Sequence, residues 1–150
     1  MVSSVIGFFS IMKNQYDTRE LQDYADAIAK RVNEISQLDI DTKSIIDFND
    51  TASGQHIKST YRDRTYEIKI TIDLVSLRQD SLMVTSHFVN HCHLYSPSEF
   101  SSIYTNKTEF VNLDKQHFEI NFLSGIDFVV EQKRLVVDGN SEYHTFIYLK

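Results

Sequence analysis

The 150-residue chain is poor in the residues that cross-link or punctuate a fold, with one cysteine, one proline and four glycines. Because Cys92 is alone, no intramolecular disulfide can form, and the stability of the fold must come from its core. The glycines never cluster, which excludes the phosphate-binding loops of P-loop and dinucleotide-binding proteins. No G-x-S-x-G motif occurs, and Cys92 falls on the apolar side of its predicted strand, so nothing in the sequence indicates a catalytic nucleophile.

Long apolar runs are also missing. No segment approaches the roughly 20 apolar residues of a membrane span, and the N-terminus lacks the basic region and cleavage pattern of a signal peptide. Since a chain with one cysteine also suits a reducing compartment, the sequence predicts a cytoplasmic protein with no membrane partner.

The charge balance is acidic, with 21 Asp and Glu residues against 15 Lys and Arg residues and a formal net charge of -6. A negative surface repels phosphate backbones, so nucleic acid is a disfavoured partner, although residues 58–69 mix basic and aromatic side chains. The composition, 41% hydrophobic and 24% charged, is that of a globular protein, and the length suits one domain. We therefore expect residues 1–150 to form a single globular domain.

The clearest predicted element is a helix from about Asp17 to Ser36. Asp17 can cap its start, and Glu20 can reach back to complete a capping box. Apolar residues then recur at spacings of three and four, which places them in one buried stripe: Leu21, Tyr24, Ala25, Ile28, Ala29, Val32 and Ile35. Upstream, periodicity leaves residues 1–12 open between strand and helix. If this run projects from the fold, Phe8 and Phe9 form an apolar patch that needs a partner.

From about Ile57 the apolar period changes from 3.6 to 2, which predicts antiparallel strands with one wet face. We expect strands in "RTYEIKITIDLV", "SLMVTSHFVNHCHLY", "HFEINFL", "IDFVVE" and "KRLVV", with "DGN" at 138–140 turning the chain into a last strand, "EYHTFIYL". Ser96, Pro97 and Glu99 predict the start of a short helix, and the acidic segment 38–50 predicts a solvated connection. The expected fold is α+β, with one long N-terminal helix packed on a curved antiparallel sheet of about five to seven strands and a short helix in the middle.

The stretch "HFVNHCHLY" holds three of the six histidines of the chain. On one straight strand, His87, His91 and His93 share the face opposite the core. Same-face neighbours lie about 7 Å apart, so His91 and His93 could converge on one ion, whereas His87 starts about 13 Å from His91. His117, His144 and Glu99 are available as further ligands, but no spacing supplies the rest of a tetrahedral shell. The prediction is therefore that the protein holds no stoichiometric metal and no cofactor.

Three functions fit these features. The leading hypothesis is a non-enzymatic protein-binding module, such as an adaptor, an inhibitor or immunity-type partner, or a subunit of a larger assembly. It explains a small acidic domain that has much sheet and no catalytic signature. The alternative is a small-molecule or metal-binding pocket protein, or an enzyme, in which a second layer covers the face that carries His87, His91, His93 and Tyr95. A nucleic-acid binder ranks third.

The last predicted strand is apolar on both faces, which indicates a contact. Its apolar residues are Tyr143, Ile147 and Leu149 on one face and Phe146 and Tyr148 on the other. A sheet with one wet face keeps only one set apolar, so the second set should be covered by the N-terminal run or by a partner. We expect a homo-oligomer or an obligate protein partner, with Phe146 and Tyr148 in or beside the contact.

Overall fold

The computed structural model describes residues 2–49, 57–94, 118–137 and 139–150, with side chains described from Thr18 onward except at 136 and 137. The elements in chain order are α1 (Val2–Ser36), β1 (Thr42–Ile46), β2 (Glu67–Thr71), β3 (Leu74–Gln79), β4 (Leu82–His87), β5 (Cys92–Leu94), β6 (Glu119–Leu123), β7 (Phe128–Val137) and β8 (Asn140–Leu149). The fold is α+β. In place of the expected single curved sheet, the described residues form two sheets of four strands each.

The two sheets differ in how their strands are connected. The first sheet has the strand order β1-β7-β8-β5, and the second has the order β4-β3-β2-β6. Neighbouring strands are antiparallel except for β5 and β8, which run parallel. The second sheet therefore consists of a β4-β3-β2 meander with β6 added at its edge, whereas the first sheet collects strands from both ends of the chain.

The apolar stripe of α1 is confirmed, whereas the predicted start of the helix is wrong. All the stripe residues are buried, from Leu21 at 0% exposure to Ile35 at 5%. The helix begins at Val2, which assigns the N-terminal run to it. Glu20 lies inside the helix, and its carboxylate accepts a hydrogen bond from the Tyr24 hydroxyl at 2.6 Å. Upstream of Asp17 the chain has no proline and only one glycine, Gly7, so the helix continues through the capping sequence.

The core lies between α1 and the facing sides of the two sheets. Ile68 and Ile70, on the predicted apolar face of β2, share one buried cluster with the α1 stripe. The helix contacts β3 and β4 of the second sheet and β1, β7 and β8 of the first. Phe122 and Phe128, whose ring centroids are 5.5 Å apart, connect β6 of one sheet to β7 of the other. Both sheets therefore bury one face on the same helix.

The predicted strand "RTYEIKITIDLV" is in fact two strands joined by a tight turn. β2 ends at Thr71 and β3 begins at Leu74, so Ile72 lies in the turn. The Thr71 hydroxyl accepts hydrogen bonds from the backbone N–H groups of Asp73, at 3.3 Å, and Leu74, at 3.2 Å. Because a threonine side chain closes this turn, no glycine or proline marks it in the sequence.

The remaining predicted segments have mixed outcomes. The acidic segment 38–50 is more than a connection, because Thr42–Ile46 pairs with β7. "IDFVVE" and "KRLVV" form one continuous strand, β7. The final hairpin is confirmed, since Val137 pairs with Asn140 and Gly139 adopts the positive φ, 82°, that a two-residue turn favours. The short helix expected after Ser96 and the side chains of Phe8 and Phe9 lie outside the described residues.

Replacing Ile28, which has 0% exposure, by Asp should lower the free energy of unfolding by at least about 3 kcal/mol. The reason is that the substitution would place a carboxylate in an apolar core. Urea unfolding followed by circular dichroism measures this loss. Lys30→Asp, on the exposed face of the same helix, is the control and should change the free energy by no more than about 0.5 kcal/mol. An Ile28→Asp variant that unfolds like the parent would show that the stripe is not core.

Candidate functional site

The segment that holds three histidines is divided between the two sheets. β4 belongs to the second sheet, and after a crossing over residues 88–91 the chain enters β5 of the first. The Phe88 N–H donates to Asp73 O at 2.7 Å, and the Cys92 N–H donates to Ile72 O at 2.8 Å, which holds the crossing on the β2–β3 turn. The predicted single strand over 81–95 is therefore wrong. Phe88 and Cys92 are both buried, so the alternation of core and solvent positions continues through the break and conceals it.

The break gives the histidines different surroundings. His87 is exposed on β4. His91 is exposed beside Asp73, with 2.5 Å between His91 Nδ1 and Asp73 Oδ1. His93 lies on β5 and is half-buried. The straight strand on which His91 and His93 were expected to converge does not exist, and the geometric reason for expecting no metal no longer applies. Tyr95 of the predicted pocket, and Glu99 and His117, which were considered as further metal ligands, lie outside the described residues.

His93 instead meets His144 of β8. In the parallel register of β5 and β8, His93 lies opposite Phe146, which makes His144 its diagonal neighbour on the same face. His93 Nε2 and His144 Nδ1 are 3.2 Å apart, and the ring centroids are 5.2 Å apart. On the far side of its ring, His144 Nε2 lies 3.1 Å from Glu142 Oε2. A neutral His144 that donates from Nε2 to this carboxylate presents a lone pair at Nδ1, towards His93.

The face around this imidazole pair is largely buried. Phe146 has 0% exposure, and its ring centroid is 5.4 Å from that of His93. Tyr148 is half-buried and donates its hydroxyl to Glu131 Oε1 at 2.7 Å. Burial, together with this hydrogen bond, raises the pKa of Tyr148 above its ordinary value. The second apolar set of β8 is thus covered within the single chain, and the expected contact of Phe146 and Tyr148 with a partner stays a prediction.

The second sheet has one face that is largely exposed. Residues that pair across β4, β3, β2 and β6 form rows perpendicular to the strands, and the residues of one row lie on the same face of the sheet. Three of these rows lie on the side opposite the core. We name this surface the open face; its rows are Met83, Arg78, Glu67 and Leu123, then Thr85, Ser76, Lys69 and Asn121, then His87, Leu74, Thr71 and Glu119. Met83 is 64% exposed and Leu123 is 50% exposed, at the two ends of the first row. The open face therefore combines charges of both signs with two large exposed apolar side chains.

A groove of about 440 Å³ borders the first row of the open face. Its lining includes Arg64, Glu67, Arg78, Asp80 and Leu123. Arg64 and Asp80 form an ion pair with 2.5 Å between Nη2 and Oδ2. The hydrogen bond and the charge of the Arg64 guanidinium hold the pKa of Asp80 below its ordinary value. Both side chains are more than half exposed, so the pair orders the groove wall and adds little to stability.

The groove wall that carries Arg64 is a strained turn held by a buried amide. Tyr61 and Arg64 exchange two backbone hydrogen bonds, of 2.8 and 3.2 Å, around two residues with φ of 52° and 61°. Two positive φ values are the mark of a type I′ turn, in which Arg62 is an unfavourable residue. The Gln79 amide, 5% exposed, donates to three carbonyls of this segment, those of Tyr61, Arg64 and Thr65, at 2.7, 3.3 and 3.2 Å. Strain persists where the surrounding structure enforces it, and strained positions cluster at functional sites.

Sequence analysis missed the groove and the carboxylates that hold the histidines. Gln79 and Asp80 stand in "SLRQD", residues 76–80, which lies between two predicted strands and was assigned to neither. The available signal was Asp80, whose residue type tolerates the positive φ of 55° that it adopts. Asp73 meets His91 because the crossing lies on the β2–β3 turn, a long-range contact that no spacing in the sequence encodes. Glu142 stands two residues before His144 on the same strand, so the i, i+2 spacing was an available signal.

No protein-family model, no curated protein and no solved structure matches the chain. Over the described ranges, no group of three or more histidine, cysteine or acidic side chains is arranged to hold a metal ion. No helix in the same part of the chain is apolar over a length that could cross a membrane. Function is therefore argued from the two candidate sites themselves, the imidazole pair and the open face with its groove.

Replacing Gln79 by Ala should lower the free energy of unfolding by about 2 kcal/mol, because the turn loses the buried side-chain amide that donates to three of its carbonyls. Urea unfolding measures the loss. Gln37→Ala removes the same side chain from an exposed position after α1 and should be close to neutral. Equal effects of the two substitutions would show that the amide does not hold the turn.

The Arg64–Asp80 pair predicts a stability difference that depends on pH. The pKa of Asp80 is lower in the folded protein than its ordinary 3.8. Ionised Asp80 therefore stabilises the fold above pH 3.8, and this stabilisation is lost as the pH falls below 3.8. Asp80→Asn should therefore lower the melting temperature at neutral pH and match the parent in strong acid. Asparagine accommodates the same positive φ, so the turn is kept.

Calorimetric melting temperatures of parent and Asp80→Asn, measured from neutral to acid pH, test this prediction. In the control, both are measured with Arg64→Gln added, and the effect of Asp80→Asn should then no longer depend on pH. A difference between parent and Asp80→Asn that stays constant with pH would contradict the role of the ion pair.

Proposed function

We propose that this chain is a non-enzymatic protein-binding module that acts as a subunit of an assembly, and that its open face binds a second copy of the chain. The observation that carries the proposal is the order of the first row, Met83, Arg78, Glu67, Leu123, across four neighbouring strands. An apolar residue stands at each end, and one positive and one negative residue stand between them.

This order is complementary to itself. When two open faces meet about a two-fold axis that runs parallel to the strands, the order of each row is reversed in the second copy. Met83 then faces Leu123 of the second copy, and Arg78 faces its Glu67. The same operation produces each contact twice, so two apolar pairs and two ion pairs form around one axis. Opposite charges face each other, which favours this arrangement over a shifted one.

The third row of the open face follows the same rule. His87 and Glu119 stand at its two ends, so the two-fold axis that pairs the first row also brings His87 against Glu119 of the second copy. The second row contributes Lys69 opposite Ser76, which is a neutral contact. No row places like charges opposite each other.

The size of the open face sets the expected strength of association. Four strands about 4.8 Å apart and up to six residues long cover roughly 20 by 20 Å. That is about half of the roughly 800 Å² that each partner buries in a standard interface. Arg64 and Asp80, beside the first row, extend the contact area. We expect a reversible dimer whose population rises with protein concentration.

Reversal of one charge in the first row should weaken association. Arg78→Glu or Glu67→Arg places like charges opposite each other at two symmetric positions, and each should raise the dimer dissociation constant about tenfold or more. The double variant restores opposite charges and should return the constant towards that of the parent. Sedimentation equilibrium over a concentration series measures all four proteins.

Arg19→Glu, which reverses an exposed charge on α1, is the matched control and should leave the constant unchanged. A parent that stays monomeric, or a double variant that associates no better than the single ones, would contradict binding of a second copy. Capture of a different protein that is lost on Met83→Lys, with the chain monomeric throughout, would also overturn it and assign the open face to that protein.

A further inference from the structure

We infer that His93 and His144 form a binding site for a divalent transition-metal ion such as zinc on the outer face of the first sheet. The proposal is independent of the assembly proposed above, because it uses the other sheet. It also replaces the sequence-based expectation of no metal, which started from His91 and His93 on one straight strand and found no spacing that supplied the remaining ligands.

The spacing of the two nitrogens fits shared coordination. His93 Nε2 and His144 Nδ1 are 3.2 Å apart. With zinc–nitrogen distances of 2.0–2.1 Å and tetrahedral angles, two ligand nitrogens lie about 3.3–3.4 Å apart. The rings are tilted by 56° and are not stacked. An ion would therefore fit after a shift of a few tenths of an ångström.

Glu142 supplies the usual partner of a metal-binding imidazole. Its Oε2 lies 3.1 Å from His144 Nε2, the nitrogen that faces away from His93. Histidine ligands commonly donate this second N–H to a carboxylate, which fixes the ring and makes the coordinating nitrogen more basic. Without metal, the same tautomer accepts a hydrogen bond from His93 Nε2. Metal binding requires that His93 carry its proton on Nδ1 instead.

The surrounding face packs against the pair and carries charges of both signs. Phe146, fully buried and 5.4 Å from His93 between ring centroids, packs against one side of the pair. Glu131 and Glu142 add two carboxylates to this face of β7 and β8, and Lys133, which pairs with His144 in register, adds one ammonium group. Lys43 of β1, which pairs with Glu131 in register, adds a second ammonium group, so these four charges balance. The carboxylate next to the pair is that of Glu142, beside His144.

The two histidines are the protein ligands that we assign. Over the described ranges, no third histidine, cysteine or carboxylate joins them. Two protein nitrogens are one fewer than the three protein ligands of a typical open zinc site, so water or a small anion would take the remaining coordination positions. Imidazole ligands suit zinc, copper and nickel over magnesium or calcium, which prefer oxygen.

Calorimetric titration of zinc chloride into the untagged protein should give one equivalent bound. His93→Ala and His144→Ala should each abolish this binding. Glu142→Gln should weaken it about 10- to 100-fold, as expected when the carboxylate that orients a metal-binding histidine is neutralised. His91→Ala removes an exposed imidazole held by Asp73 and is the matched control, which should bind zinc like the parent.

Because His93 and His144 are half-buried, circular dichroism checks that their variants fold, and Glu142→Gln, at a half-exposed carboxylate, tests the site if they do not. A parent that binds no zinc would show that the 3.2 Å contact is only a hydrogen bond between imidazoles and would overturn the proposal. Binding that survives Glu142→Gln unweakened, or that His91→Ala removes, would overturn it as well.

Discussion

The rest of the structure depends on which groups donate hydrogen bonds to the backbone carbonyls at the C-terminal end of α1. The last carbonyls of a helix need hydrogen-bond donors, and this helix has no basic residue in its last turn. Gln132 of β7 fills the role: its Nε2 donates to Ser36 O at 3.3 Å and to Leu38 O at 2.8 Å. Its Oε1 in turn accepts the Thr145 hydroxyl of β8 at 2.7 Å. Gln132 and Thr145 are buried, so a shift of the first sheet along α1 would leave buried polar groups without partners.

The crossing between the sheets is tied to the same end of the helix. Asn33 Oδ1 accepts the Val89 N–H at 2.8 Å, and Asn90 Nδ2 donates to the Ser36 hydroxyl at 3.3 Å. These bonds fix residues 88–91 on the last two turns of α1, and the crossing then delivers His93 to the edge of the first sheet. The imidazole pair is therefore positioned by helix capping and sheet register, with no help from a metal-binding motif.

This dependence explains how far the sequence could predict the fold and the candidate sites. Periodicity places a residue directly on the core side of a helix or strand, so the α1 stripe and the buried face with Ile68 and Ile70 were predictable. Periodicity does not show where a strand ends when buried and exposed positions keep alternating beyond its end. This is the case after β4, where Phe88 and Cys92 are buried like core residues of one strand. The result was one predicted sheet where there are two. His144 was named among several possible ligands, but its selection over His91 follows from the β5–β8 register, which forms between segments about 50 residues apart.

The outer faces of the two sheets differ in burial, and this difference separates the two proposals. On the first sheet, Phe146 at 0% and Val129 at 5% exposure are covered, and His93 and His144 beside them are half-buried. On the second sheet, Met83 and Leu123 are exposed, and they gain from burial against another apolar surface. Each sheet packs its inner face against α1, so the two outer faces are connected only through the core. Because substitutions at sites without shared partners act nearly additively, a change at His93 should leave association intact, and a change at Arg78 should leave zinc binding intact.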